Sequence, residues 1–407
     1  MDLAAVITLS PETFLAIVGA AACAGTIAAI ATARGIVVPV VVLELLSGVI
    51  IGPHVLGLRP DGFVTFFSEL GLGLLFFFAG YEIDLHRIYG QPLRLALFGW
   101  AMSLALAYTI GGVLAASGVV LSLLYTGSAL STTAIGTLIP ILSDSGELRT
   151  RFGTYLLAAG AVGEFGPIML LTLFLSTQSI AKQGSILIAF IALAVGVAVF
   201  AVRSSGRTLP LFERTLETSS QLAVRWIVVL VFALALLARR LGLDLLLGGF
   251  AAGIITRQMI KSGEMPAFDS KLTAVAFGVF VPFFFIVSGM NLDVEALYSS
   301  VSAVVKLFVF FILFFVVRGI PALILYRRVL DRPARRALAL MSSTQLPLVL
   351  AITTLATATG HMRTSTAAAL VGAAVLSTVV FPVLGLRLRH DLDEEPAPEL
   401  AATATVA

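Results

Sequence analysis

The sequence predicts an all-α integral membrane protein of about 13 transmembrane helices, built as an inverted-topology repeat. Three observations predict the spanning helices, and echoes between the two halves predict the repeat. The first is composition: of 407 residues, 59% are hydrophobic and only 12% are charged, with a mean hydropathy of +1.05. Soluble domains carry about 25% charged residues. No soluble fold of this length hides so much apolar surface, so lipid must be the solvent for most of the chain. The second is spacing. Apolar stretches long enough for a bilayer fall at 12–33, 36–52, 63–80, 93–116, 118–142, 151–176, 184–202, 219–238, 243–260, 270–290, 301–325, 334–359 and 364–386. The third is charge asymmetry. With the N-terminus outside, eighteen of the 26 Lys and Arg fall in inner loops, five in outer loops, and three (Arg225, Lys306, Arg318) inside spans. The positive-inside rule therefore puts the C-terminus in the cytoplasm.

The elements follow in order. Met1-Asp2-Leu3 lacks a basic leader, so the first span reads as a retained helix. Cys23 is the only cysteine, which excludes an internal disulfide. Net charge is +3 with scattered bases, which gives no nucleic-acid footprint. The segment from Arg387 to Ala407 is acidic and Pro/Ala-rich and reads as a disordered tail. No Gly-rich nucleotide loop follows the last span. His54, His86, His361 and His390 fall in loops or at span ends.

The halves echo one another. Leu74-Leu75-Phe76-Phe77-Phe78-Ala79-Gly80 with Asp84 recurs as Pro282-Phe283-Phe284-Phe285-Ile286-Val287-Ser288-Gly289 with Asp293. Ser131-Thr132-Thr133 recurs as Ser342-Ser343-Thr344, and Leu45-Leu46-Ser47-Gly48 with Gly52 recurs as Leu246-Leu247-Gly248-Gly249 with Gly253. Each match pairs a span with the seventh after it. Seven is odd, so paired helices run in opposite directions, as in secondary transporters. Chance similarity among Leu- and Gly-rich spans explains one match, but three in one order and parity are harder to dismiss.

Two matched spans look broken. Ser128, Ser131, Thr132 and Thr133 precede Pro140; Ser342, Ser343, Thr344 and Gln345 precede Pro347. Hydroxyls and proline compete for backbone hydrogen bonds and loosen a helix. Unwound backbone survives in a membrane only where protein or a watery cavity satisfies it. A symmetric pair points to a midplane binding site with carbonyls for a cation; packing through small residues is the plainer reading.

Glu164 lies mid-span between Gly163 and Phe165-Gly166-Pro167. A carboxylate at that depth is expensive and marks function by default. Such a group holds a proton or, once deprotonated, a cation, but not both. Pro167 frees a nearby carbonyl. Arg318 is a second outlier and needs a partner or water, with Glu164 as one partner and snorkelling past Tyr326 as the plainer alternative. Glu44, mid-span in the second helix, lines a route to the site or pairs across helices. Glu82, Asp84 and Asp293 read as capping or solvated ends. Arg225 and Lys306 read as snorkelling.

These residues resemble the monovalent cation/proton antiporter superfamily, in its second branch of sodium/proton antiporters and potassium-efflux-like membrane domains. The resemblance rests on Pro39…Glu44-Leu45…Gly48…Gly52-Pro53…Leu56-Gly57, on Leu74-Leu75-Phe76…Ala79-Gly80…Glu82-Ile83-Asp84, and on Ala129-Leu130-Ser131-Thr132-Thr133-Ala134. It implies one transmembrane transporter domain over 1–386: a dimerisation bundle at about 12–80 and 219–290, a linker helix at about 184–202, and a mobile core at about 93–176 and 301–386. It also implies a homodimer, two unwound helices crossing in the core, and elevator-like alternating access. The family's functional acid falls on Glu164 and its core lysine on Arg318. Many relatives carry Asp-Asp or Asn-Asp where this chain has Gly163-Glu164. One carboxylate implies electroneutral exchange of Na⁺ or K⁺ for a proton, with Glu164 as the metal ligand. Ser131, Thr132, Thr133 and backbone carbonyls would complete a hard cation's oxygen shell, and Arg318 would compensate the charge of Glu164. Apart from the transported ions, membrane lipid is the expected partner, and no cofactor or enzymatic chemistry is implied. The rivals are an exporter or symporter of an organic anion on the same architecture, and a channel or sensor.

Overall fold

Backbone in lipid must satisfy its own hydrogen bonds, and an apolar segment does so by becoming a helix. The computed structural model describes residues 10–34, 38–83, 85–174, 180–216, 218, 220–243, 245–260, 266–298 and 301–389. The main helices are α1 (Pro11–Ala33), α2 (Val40–Ile51), α3 (Gly62–Tyr81), α4 (Gln91–Ala116), α5 (Leu123–Leu130), α6 (Ile135–Asp144), α7 (Arg151–Phe174), α8 (Ile180–Leu216), α9 (Leu222–Arg240) and α10 (Leu245–Met259). Next, α11 runs from Pro266–Val275 through a π-helical segment, Ala276–Phe280, into Val281–Met290. Similarly, α12 joins Val301–Phe314 to Ile320–Leu325 through a π-helical segment, Phe315–Gly319. The last three are α13 (Arg332–Ser342), α14 (Pro347–Ala358) and α15 (Thr364–Arg387).

Among the described residues, ten helices are long and apolar enough to cross a membrane, with three shorter apolar stretches at Val40–Ile51, Leu123–Ile139 and Leu245–Met259. All thirteen expected spans have a counterpart. The difference in extent is at α8, which outruns the expected 184–202 at its C-terminal end. Arg203, Arg207, Glu213 and Arg214 stand in that extension, too polar for an apolar window but compatible with helix. Asp84 and the tail from 390 lie outside the described residues.

The helices cluster into two compact units. One comprises Met1–Ile83 and Thr172–Leu292, and holds α1–α3 and α8–α11; the other comprises Asp84–Leu171 and Asp293–Ala407, and holds α4–α6, most of α7 and α12–α15.

In the first unit the repeat is visible as packing. A side chain at Gly48 or Gly289 would strike the backbone of Ile286 or Leu45, so α2 and α11 touch main chain to main chain. The matched pair does the same: side chains at Gly80 or Gly253 would strike the backbones of Phe250 and Phe77, joining α3 to α10. Phe14 of α1, Phe67 of α3 and Phe283 of α11 pack together nearby, with ring centroids 5.2–5.7 Å apart. Asp61 caps α3, its Oδ1 accepting from Val64 N at 2.8 Å and its Oδ2 from Ser10 N at 2.7 Å. Burial acts to raise the Asp61 carboxyl, but these hydrogen bonds prevail and hold it below the usual carboxylate range. Cys23 is exposed on α1.

In the second unit, Asp293 caps a short helix through Ala296 N at 2.9 Å. A buried ion pair ties the end of α15 to the turn before α7. Arg389 donates from Nε and Nη2 to the two carboxylate oxygens of Glu147, at 2.7 and 3.0 Å, and lies 4.9 Å over the Phe152 ring.

Candidate functional site

Two half-helix pairs meet in the second unit. Helix stops at Leu130 and resumes at Ile135; it stops again at Ser342 and resumes at Pro347. The open backbone between is satisfied across the gap rather than along the chain. Ala134 N donates to Thr344 O at 2.8 Å. Thr133 Oγ1 donates to Ser342 O at 2.6 Å. Thr132 Oγ1 donates to Gln345 Oε1 at 2.8 Å, and Gln345 Nε2 donates to Leu130 O at 3.2 Å. Gln345 is also held by α15: its N–H donates to Ser377 Oγ at 3.0 Å, and its carbonyl accepts from Ser377 and Thr378. The unwound segments therefore cross, and the crossing is fully buried at Ser131, Thr132, Thr133, Ser343, Thr344 and Gln345.

Glu164 is 1% exposed on α7. Its carboxyl lies against the backbone N–H groups of Ile135 and Gly136, which open α6. A helix N-terminus carries partial positive charge and suits an anion. Among the described residues the other carboxyl oxygen, Oε2, has no hydrogen-bond partner, and neither has Thr344 Oγ1. Pro167 explains how α7 joins the crossing. It has no N–H to offer the carbonyl four residues back, and that carbonyl, Gly163 O, accepts from Thr133 N at 3.1 Å.

Arg318 is also buried, in the π-helical segment of α12. It forms no ion pair with Glu164. Three uncharged acceptors hold it: Nε donates to Thr133 Oγ1 at 2.8 Å, Nη1 to Ser103 Oγ at 3.3 Å and Nη2 to Ala159 O at 3.0 Å. Thr133 thus receives Arg318 while donating across the crossing. A side chain at Gly163 would collide with Arg318 Nη2 and Thr133 Oγ1. The guanidinium therefore occupies the space that a carboxylate at 163 would need.

The structure brings Glu164, Ser131, Thr132, Thr133, Arg318, Ser343, Thr344 and Gln345 into one unit, and places Glu44 in the other. The sequence reading missed Ser103, Ser377 and Thr378. Each is a buried hydroxyl in an apolar helix, so a search for isolated hydroxyls within spans would have found them. The α6 backbone donors leave no trace in residue identity.

The sodium/hydrogen exchanger, transmembrane family matches residues 19–386. YjbQ of Bacillus subtilis, whose name ascribes Na(+)/H(+) antiport to it, is 24% identical over 384 residues, or 90% of this chain. The chain spans only 61% of that relative's length. The Na(+)/H(+)-K(+) antiporter GerN of Bacillus cereus is 27% identical over 289 residues, covering 68% of this chain and 71% of GerN. The solved structure of the sodium proton antiporter MjNhaP1 from Methanocaldococcus jannaschii matches with a TM-score of 0.63 at 16% identity, covering 93% of this chain and 98% of that one. At that identity the likeness is one of fold.

Proposed function

The chain belongs to the sodium/hydrogen exchanger family, and from that premise we propose that it is an antiporter exchanging Na⁺ or K⁺ for protons, one for one, at Glu164. The observation that carries the proposal is a buried carboxyl whose Oε2 has no partner among the described residues, held at the start of a half-helix beside a crossing of unwound backbone. A proton or a cation, but not both, takes that oxygen. A hard cation needs several oxygens. Thr344 Oγ1, which is unengaged, and the lone pairs of Ser131 and Thr132 supply candidates. Thr133 is already shared between Ser342 O and Arg318. In this reading Arg318 compensates Glu164 as a fixed positive charge held through Thr133 rather than as a direct partner. The organic-anion alternative loses its best feature, because each arm of that guanidinium already has an acceptor. GerN's name supports keeping K⁺ beside Na⁺ as a substrate.

In the same proposal the second unit is the mobile core of an elevator-like cycle. The first unit, with α8 as linker, forms a homodimer, and the C-terminus is cytoplasmic in a plasma or inner membrane. The test is cation-driven proton movement in proteoliposomes across Li⁺, Na⁺ and K⁺, with membrane potential clamped. Glu164→Gln is expected to lower exchange at least 100-fold; exchange within a few-fold of the parent protein would sink the assignment.

A further inference from the structure

In the first unit, α1, α2 and the π-helical part of α11 enclose a cavity of about 370 Å³. Its lining is aliphatic and aromatic, including Phe277, Pro282 and Phe283, with one polar side chain, that of Glu44. Glu44 is 4% exposed, and among the described residues no hydrogen bond or ion pair reaches its carboxyl. The cavity is built into the backbone. Side chains added at Gly25 or Gly278, which both line it, would meet nothing. Gly278 stands in the π-helical segment, a local widening that often accompanies function.

The lining also says what fits. An anion is excluded by the carboxylate and, among the described residues, by the absence of any Lys, Arg or His in the wall. A bare Na⁺ or K⁺ would find a single carboxylate and no other oxygen side chain, well short of a hard cation's shell. Ordered water needs two to four polar partners, and the wall side chains offer one. A zwitterionic lipid headgroup would bring a phosphate with no base to meet it. What remains is an apolar body that carries one positive charge. The volume falls in the range of small-ligand sites, roughly 300–1,000 Å³. Val18 and Val279 in the lining are exposed and lie within the apolar stretches Pro11–Ala33 and Ala267–Met290, so the cavity opens on an apolar face of this unit.

We propose that this cavity is a binding site for a membrane-soluble alkylamine, with Glu44 as the counter-ion of its ammonium group. The site is independent of exchange at Glu164 and does not rest on that reading.

The test is saturable binding of radiolabelled dodecylamine to the full-length protein in phosphatidylcholine nanodiscs, measured above partition into protein-free discs. Saturable binding is expected, with Glu44→Gln weakening it at least tenfold. Gly25→Leu fills the cavity without touching the carboxylate and is expected to weaken binding similarly. Dodecanol and dodecanoate are expected to compete at least tenfold less well than unlabelled dodecylamine. Binding that never exceeds partition, that survives both substitutions, or that dodecanoate displaces equally well would overturn the proposal. Because exchange is not the readout, failure here leaves the Glu164 assignment standing.

Discussion

At position 163 a missing side chain and a neighbouring charge explain each other. The resemblance implies a polar pair before Pro167 in many relatives and a lysine on α12 in the family; this chain has Gly163 and Arg318 at those places. The two departures are one feature, because the arginine fork fills the volume that a side chain at 163 would claim. Gly163→Ala is therefore expected to push Arg318 or Thr133 out of place. Overpacking of this kind destabilises by about 1–3 kcal/mol, and exchange should fall at least tenfold. Gly163→Asp together with Arg318→Lys should recover more activity than the two single losses predict, since contacting residues do not add independently. Exchange rates in proteoliposomes and thermal unfolding in detergent, for the parent, the three single variants and the double variant, check both statements; strict additivity would refute the coupling. Glu164 and Arg318 were visible in the sequence because a charge in an apolar span is conspicuous. Their separate partners were not, because neither backbone donors nor Ser103 announce themselves by charge.

The half-helices show what an element-level reading can and cannot reach. Hydroxyls near Pro140 and Pro347 marked where helix would fail, and the breaks fall at Ser131–Ala134 and Ser343–Leu346. Partners across the gap depend on which backbones face each other, and local sequence does not encode that. Pro167 is the exception: its missing N–H predicts a free carbonyl, and Thr133 takes it. Pro167→Ala would return a donor to Gly163 O and close α7 on itself. An interior proline costs a helix about 3 kcal/mol, so the melting temperature is expected to hold or rise while exchange falls about tenfold. Unchanged exchange in a more stable protein would show that the Gly163–Thr133 contact is dispensable.

For the molecule as a whole, hydropathy and the parity of the echoes made thirteen spans and the inverted repeat legible. Hydropathy carries no information about which span touches which, so the division into two units had to come from packing. Orientation is testable with Cys23 replaced by Ser. Single cysteines at Arg59, on the expected outside, and Arg149, on the expected inside, both fall on exposed residues. An impermeant maleimide should label the first in intact cells and the second only after permeabilisation; the reverse pattern would invert the topology. The half-helices have a final consequence, in electrical terms. The 8 residues of α5 and 10 of α6 extend about 12 and 15 Å from the crossing, at ~1.5 Å per residue. That puts a charge held there near the middle of a hydrocarbon layer about 30 Å thick. A full crossing at 100 mV is worth about 2.3 kcal/mol per charge, so a midway site feels roughly half. A bound cation and a bound proton each bring one positive charge to that depth. Voltage therefore changes how full the site is without changing which of the two it prefers.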